Sequence, residues 1–218
     1  MNRQAGVAAS ESIAEAVQAP RVSRRSFDRE LGIVKAKELF HQHGYDALGI
    51  ADLTAALDIN PPSLYAAFGS KAGLFDRCLD IYAAEANLPA AKILMDGRPL
   101  SEAIQALMLE AARLYGRSAT QRGCLVAEAM RAADPKARAL ASRYGNSASI
   151  FIERYIAKSH PRQAKELADY VVTTLQGLSA ASRIGLSKKR LIAVARLAGL
   201  AFQSLTKIES QDEKNDHH

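Results

Sequence analysis

The chain is 218 residues long, 48% apolar and 24% charged, an ordinary globular composition with enough material for a full core. No apolar run approaches the ~18 residues of a membrane-spanning helix, and the start, MNRQAGVAASESIAEAVQAP, lacks the basic-then-apolar order of a secretory leader. The net charge of +6 is uneven: residues 1–80 hold nine Lys/Arg against ten Asp/Glu, residues 81–218 hold 20 against 13, so bulk charge does not mark the amino-terminal part as a basic module.

Residues 1–25 are small and polar, read as a mobile arm ending in Arg21, Arg24 and Arg25. After Ser26, Ile33, Ala36 and Phe40 fall at i, i+3 and i+7, one stripe of a helix. Gly44 stands where that helix should stop, because a residue past a helix end often needs positive φ, and Tyr45 follows where it can fold back on the last turn. Ile50, Leu53 and Leu57 predict a second, shorter helix ending at Asp58. Asn60-Pro61-Pro62-Ser63 opens a third: Asn60 is a good N-cap for the Ser63 amide, and proline is tolerated in a first turn whose N–H groups have no partner. Leu64 and Phe68 then face inward, with Ser63, Tyr65 and Ala66 toward the other side. Gly69 ends this helix and Ser70 caps the next, through Leu74, Phe75, Cys78, Leu79 and Tyr82. Longer helices are expected near 101–116, 122–133, 136–159, 162–184 and 188–209, punctuated by Gly97/Pro99, Gly123, Pro135, Pro161 and Gly185. No strand alternation is evident, so the fold class is all-α; Gln211–His218 reads as a frayed polar tail.

Two short helices, 50–57 and 61–68, joined by about three residues make a helix-turn-helix pattern. With its flanks, AKELFHQHGYDALGIADLTAALDINPPSLYAAFGSKAGLFDRCLDIY closely resembles the DNA-binding domain of the TetR (tetracycline-repressor-like) family of bacterial transcription regulators. The resemblance rests on Ala36, Leu39-Phe40, Gly44-Tyr45, Ile50, Asp52, Leu53, Ser63-Leu64-Tyr65, Phe68, Ser70-Lys71 and Leu74-Phe75. It implies a helix-turn-helix domain over 26–86 and a helical ligand-binding and dimerisation domain over 87–210. Helix 61–68 becomes the recognition helix, with Ser63 and Ala66 facing base edges, Tyr65 and Lys71 on phosphates, and Arg24 and Arg25 along the duplex. This chain departs from relatives in three places. Leu48-Gly49 replaces a Ser/Thr pair, Asp58 the turn glycine, and Pro61-Pro62 a lysine and a glycine.

A lone helix-turn-helix reads few base pairs, so a symmetric pair on a palindromic operator is expected. The apolar positions of the last two helices are the candidates for the dimer interface: Leu167, Tyr170, Val171, Thr174 and Leu178, then Leu191, Val194, Ala195, Ala198, Phe202 and Leu205. Gly177, Ala180, Ala181 and Gly199 would allow close approach there. An effector that prefers a DNA-incompetent spacing would shift the population off the operator. Candidate wall residues for its pocket are Leu107, Met108, Tyr115, Cys124, Val126, Met130, Phe151, Tyr155 and Thr173, a set suited to an apolar or aromatic molecule. Two cysteines cannot build a disulfide framework, and a cytoplasmic location is expected. Cys124 follows Gly123 near a helix start, where a thiol can be activated. With Cys78 as its only possible partner and no zinc spacing, redox or metal sensing is disfavoured. His41 and His43 are two apart on a helix and make a poor metal pair. No cofactor, metal, membrane or catalytic residue is expected. The reading is a homodimeric, effector-released repressor; the rival is an all-helical protein-interaction module whose helix-turn-helix does not read DNA.

Overall fold

The computed structural model describes residues 27–85, 88–95 and 97–215, with side chains as far as Thr206. Among the described residues the regular structure is helical. The order is α1 Arg29–His43, α2 Ile50–Leu57, α3 Pro61–Phe68, α4 Lys71–Ala84, α5 Ala90–Ile93, α6 Leu100–Tyr115, α7 Leu125–Ala129, α8 Pro135–Ala157, α9 Ala164–Arg183 and α10 Lys188–Asn215.

Two cores organise these helices. The first is built by α1 to α4 around Phe40, whose ring stacks on Tyr45 at 5.7 Å and meets Phe75 edge-on at 4.9 Å. Leu53, Leu64, Leu74 and Leu79 complete it, fully buried, each such side chain contributing about 1.5–3 kcal/mol by leaving water. Leu125, Ala129, Ala137 and Ala141 belong to the same cluster, so α7 and the first half of α8 are packed onto the amino-terminal helices. The second core joins α6, α9, α10 and the end of α8 through Ile104, Leu107, Met108, Ile156, Val171, Leu191 and Phe202.

Polar contacts fasten α8 across the first core. Arg143 pairs with Asp76 of α4, and the Tyr144 hydroxyl donates to Asp80 at 2.5 Å. The Asp46 carboxylate, in the loop after α1, accepts the Ala133 and Asp134 amides at 2.6 and 3.2 Å.

Three expectations about elements change. Only Leu125–Ala129 is helical within 122–133, because Gly123 sits at φ 73 and Pro135 already opens α8. The stretch before 101 holds an unanticipated turn of helix, α5. The expected frayed tail is helical through Asn215; its polar composition is no obstacle, since Gln, Glu and Lys are all good helix formers.

Candidate nucleic-acid interface and ligand cavity

Local chemistry builds the helix-turn-helix almost residue by residue. The Gly49 amide donates to Asp52 Oδ2 at 2.7 Å, closing the start of α2. Asp58 stops it in the left-handed conformation, φ 53 and ψ 46, a cost that Asp tolerates better than most residues. Asn60 Oδ1 then accepts the Ser63 amide at 2.8 Å, with Pro61 and Pro62 in the first turn of α3. Leu64 is the one buried residue of α3, leaving Ser63, Tyr65 and Ala66 exposed on the far side. Gly69, at φ 73, ends the helix by donating to the Tyr65 carbonyl. The Ser70 hydroxyl caps α4 by accepting the Gly73 amide at 3.0 Å. A Cβ at Gly73 would stand 2.2 Å from the Phe68 carbonyl oxygen, so glycine sets how tightly α3 and α4 can meet.

Lys71, the first residue of α4, lays its ammonium 4.0 Å from the centre of the Tyr45 ring. Burial lowers its pKa, against the pull of Asp46, Asp134 and Asp52. The same burial, with Asp134 and Asp46 adding to it, pushes the Tyr45 phenol up to about 12. Arg24 and Arg25 lie outside the described residues. Phe27 is a position the sequence reading overlooked. Its ring meets Phe68 edge-on at 6.1 Å and fills the space a Cβ at Gly32 would need. It precedes the N-cap Asp28, and its ring lies over Gly32, the fourth helical residue, where a side chain would collide with it.

Behind this unit lies a cavity of about 260 Å³ between the two cores. Leu107, Tyr115, Cys124, Val126, Met130 and Phe151 of the expected wall line it. Met108, Tyr155 and Thr173 do not. Met108 is fully buried in the second core, the Tyr155 hydroxyl is turned to the Met95 carbonyl at 3.1 Å, and Thr173 is exposed on α9. Helical spacing identifies an apolar stripe but not which part of it faces a void. His41, Tyr82, Tyr144, Val172 and Leu175 join the lining. His41, which its spacing from His43 makes a poor metal ligand, stands eight residues after Ile33 on the buried face of α1. Its Nε2–H donates to the Gly123 carbonyl at 3.2 Å and its ring meets Tyr82 edge-on at 5.5 Å. Burial lowers its pKa, opposed by the Gly123 carbonyl and reinforced by Arg183, Arg117 and Lys37, so the ring is held neutral. Gly123 must be glycine twice over: φ is positive, and a Cβ would stand 2.8 Å from the Ser179 carbonyl oxygen. Among the described residues no group of three or more His, Cys, Asp or Glu is placed to hold a metal ion.

The expected pairing face divides sharply. Leu167, Val171, Leu178, Leu191, Ala195 and Phe202 are buried in their own chain's core and cannot meet a partner. Tyr170 is half-buried and its hydroxyl donates to the Ala198 carbonyl at 3.0 Å, tying α9 to α10 within the chain. Thr174 and Ala198 are likewise half-buried. Only Val194 and Leu205 of that set are exposed, at 45% and 44%; Leu197 and Leu200, at 67% and 49%, were missed. Gly199 serves α6 rather than a partner, since a Cβ there would press 2.7 Å from Gln105 Cγ. Gly177 faces open space on α9, on the stripe with Thr173 and Ile184.

A capped, proline-led second helix that buries one side and presents the other completes a helix-turn-helix, the motif that many DNA-binding regulators place in the major groove. The comparisons agree. A sequence profile described as "Bacterial regulatory proteins, tetR family" matches residues 33–78. The chain is 45% identical over 181 residues to the HTH-type transcriptional repressor BdcR of Escherichia coli K12, covering 83% of this chain and 92% of that protein. It is 28% identical to the HTH-type transcriptional repressor ComR of the same organism, with 83% and 91% covered. Among solved structures it is similar to the TetR family transcriptional regulator CifR in a cysteine-substituted form bound to 26-bp operator DNA. There the identity is 31%, the TM-score 0.72, and 81% of this chain and 98% of that one are covered. The chain therefore belongs to the TetR family and is a helix-turn-helix transcriptional regulator; these findings favour DNA reading over the protein-interaction rival. The family and these relatives are regulators rather than enzymes. No helix among the described residues is long and apolar enough to cross a membrane.

Proposed function

We propose that the chain is a homodimeric repressor, released from a palindromic operator when a small molecule fills the cavity behind its helix-turn-helix. The observation that carries this is the exposure of Ser63, Tyr65 and Ala66 on a helix whose only buried residue is Leu64. In this reading Ser63 and Ala66 meet base edges in the major groove, Tyr65 gives its hydroxyl to a phosphate, and Lys71 leaves the Tyr45 ring for another. Arg24 and Arg25 follow the duplex. Residues 26–86 read DNA and 87–210 bind the effector and pair. The partner is met by the exposed ridge Val194, Leu197, Leu200 and Leu205, with Thr173, Gly177 and Ile184 beside it. The relatives' names, repressors and an operator complex, support the same direction of control. An apolar or aromatic effector suits a lining that contains Leu107, Val126, Met130 and Phe151. The contacts of α8 with Asp76 and Asp80, and of the residues just before it with Asp46, offer a route from that lining to the DNA-reading helices.

Selecting bound fragments from the source genome tests this. An enriched palindrome with half-sites about one helical turn or a multiple apart is expected, and a small molecule that fills the cavity should lower its occupancy. No enriched sequence in dilute buffer would contradict the reading and return the protein-interaction alternative.

A further inference from the structure

We propose that Arg183, the last residue of α9, relays occupancy of the cavity to the DNA-reading unit by holding the carboxy-terminal end of α1. The relay rests on the effector reading of the cavity and adds the residue through which that effector acts. The last four carbonyls of a helix have no intrahelical partner, and α1 ends at His43. Arg183 Nη1 donates to one of them, the His41 carbonyl, at 2.9 Å. A guanidinium there also meets the negative end of the α1 dipole. The same Nη1 donates to the Arg122 carbonyl at 3.3 Å, while Nε pairs with Glu128 of α7 at 3.3 Å. With the Arg183 side chain 19% exposed, salt and water screen these contacts weakly.

The loop between α6 and α7 that Arg183 grips is also cavity wall. Gln121, Gly123 and Cys124 line the cavity, and so does His41, whose Nε2–H donates to the Gly123 carbonyl. Ser179 and Arg183 stand one turn apart on α9 and leave the loop no room to retreat. A Cβ at Gly123 would lie 2.8 Å from the Ser179 carbonyl oxygen and 3.0 Å from Arg183 Cγ. The Cys124 amide donates to the buried Ser179 hydroxyl at 2.8 Å. A molecule that presses on this loop therefore either breaks its bonds to α9 or displaces Arg183 with it. Either way the hold on the His41 carbonyl changes. Phe40, the residue before His41, shares its core with Leu53 of α2, Leu64 of α3 and Leu74 of α4, so the change reaches the recognition helix through packed side chains. The α8 contacts act on α4; this one acts on α1.

The test uses the full-length protein, its genome-selected operator and a tethered occupant of the cavity. Benzyl methanethiosulfonate adds a benzylthio group to Cys124, a half-buried wall residue, whereas Cys78 is fully buried. Mass spectrometry follows the label and dithiothreitol removes it; where Cys124 resists the reagent, Val126→Phe fills the same space. The label should weaken wild-type operator binding about tenfold, within the usual range of coupling between two sites. In Arg183→Gln the labelled and unlabelled forms should differ by less than about twofold, the limit of independent sites. Arg183→Lys keeps the charge without the planar fork and should give an intermediate ratio. Ser179→Ala, which unties the loop from α9, is the second variant should Arg183→Gln unfold. A merely structural Arg183 would lower the melting temperature and leave the full ratio in place, which would overturn the proposal. So would loss of the ratio in Tyr144→Phe with its retention in Arg183→Gln, because α8 would then be the sole connection. A label that leaves wild-type operator binding unchanged would overturn the effector reading of the cavity, and the relay with it.

Discussion

Helix α3 and helix α10 bury their apolar residues under opposite conditions. Eight residues long, α3 has one buried side chain, a cap at each end and no alternative packing, so its outward face follows from its sequence. Along α10 apolar residues run on several sides, and Leu191, Ala195 and Phe202 go into the chain's own core while Val194, Leu197 and Leu200 face outward. Both sets satisfy a helical period. A short helix fixed by its caps declares its function; a long helix that serves two packing partners does not.

The largest effect that would sharpen this contrast is expected at the two neighbouring stripes of α10. Phe202→Asp places an uncompensated charge in the second core and should destabilise the fold by about 4 kcal/mol or more, seen as loss of the cooperative thermal transition. Leu197→Asp should leave each chain folded, weaken pairing by about 2 kcal/mol or more and give monomers in sedimentation. Equal behaviour of the two variants would break the contrast. Within the DNA-reading unit, Asn60→Ala removes the cap that fixes the entry to α3 and should cost about 1 kcal/mol in denaturant unfolding.

His41 gives a pH-dependent test. Its pKa is lowered on folding, so the unfolded chain binds the extra proton. Stability should therefore be full above the ordinary histidine pKa, about 6.5, and fall as pH drops from there toward the lowered folded value. His41→Gln should flatten that dependence between pH 7 and 5. The smallest effect concerns Lys71→Ala, which should weaken binding to all DNA sequences alike and reduce the salt slope by about one. Residues 27–85 carry five Lys/Arg against nine Asp/Glu, so one lost cation should be measurable against a shallow total slope.

Much of the amino-terminal architecture was legible because each boundary is written locally. Gly44, Asp58, Asn60, Gly69 and Ser70 occupy the stop and start positions that their chemistry predicts, and Tyr45 folds back on Phe40 as expected. The carboxy-terminal half was legible as helices but not as surfaces. Whether Phe202 or Leu197 is buried depends on where α6 crosses α10, which Gly199 and Gln105 decide over a long sequence separation. The cavity was half legible for the same reason: Tyr115 and Cys124 flank a loop that returns to α9 through Ser179, whereas Thr173 sits on the wrong side of that helix. His41 and Tyr82 were hidden because the amino-terminal helices looked complete without the cavity they border.

The central assertion is that the outward face of α3 reads base sequence. The most direct measurement is a fluorescence-anisotropy titration of the genome-selected operator, and of its single-base-pair variants, with wild type, Ser63→Ala and Tyr65→Phe. Ser63→Ala should lose discrimination at one symmetric pair of positions by about 1–3 kcal/mol, while Tyr65→Phe weakens every site equally and leaves their ranking intact. An identical ranking and affinity for all three proteins would contradict it.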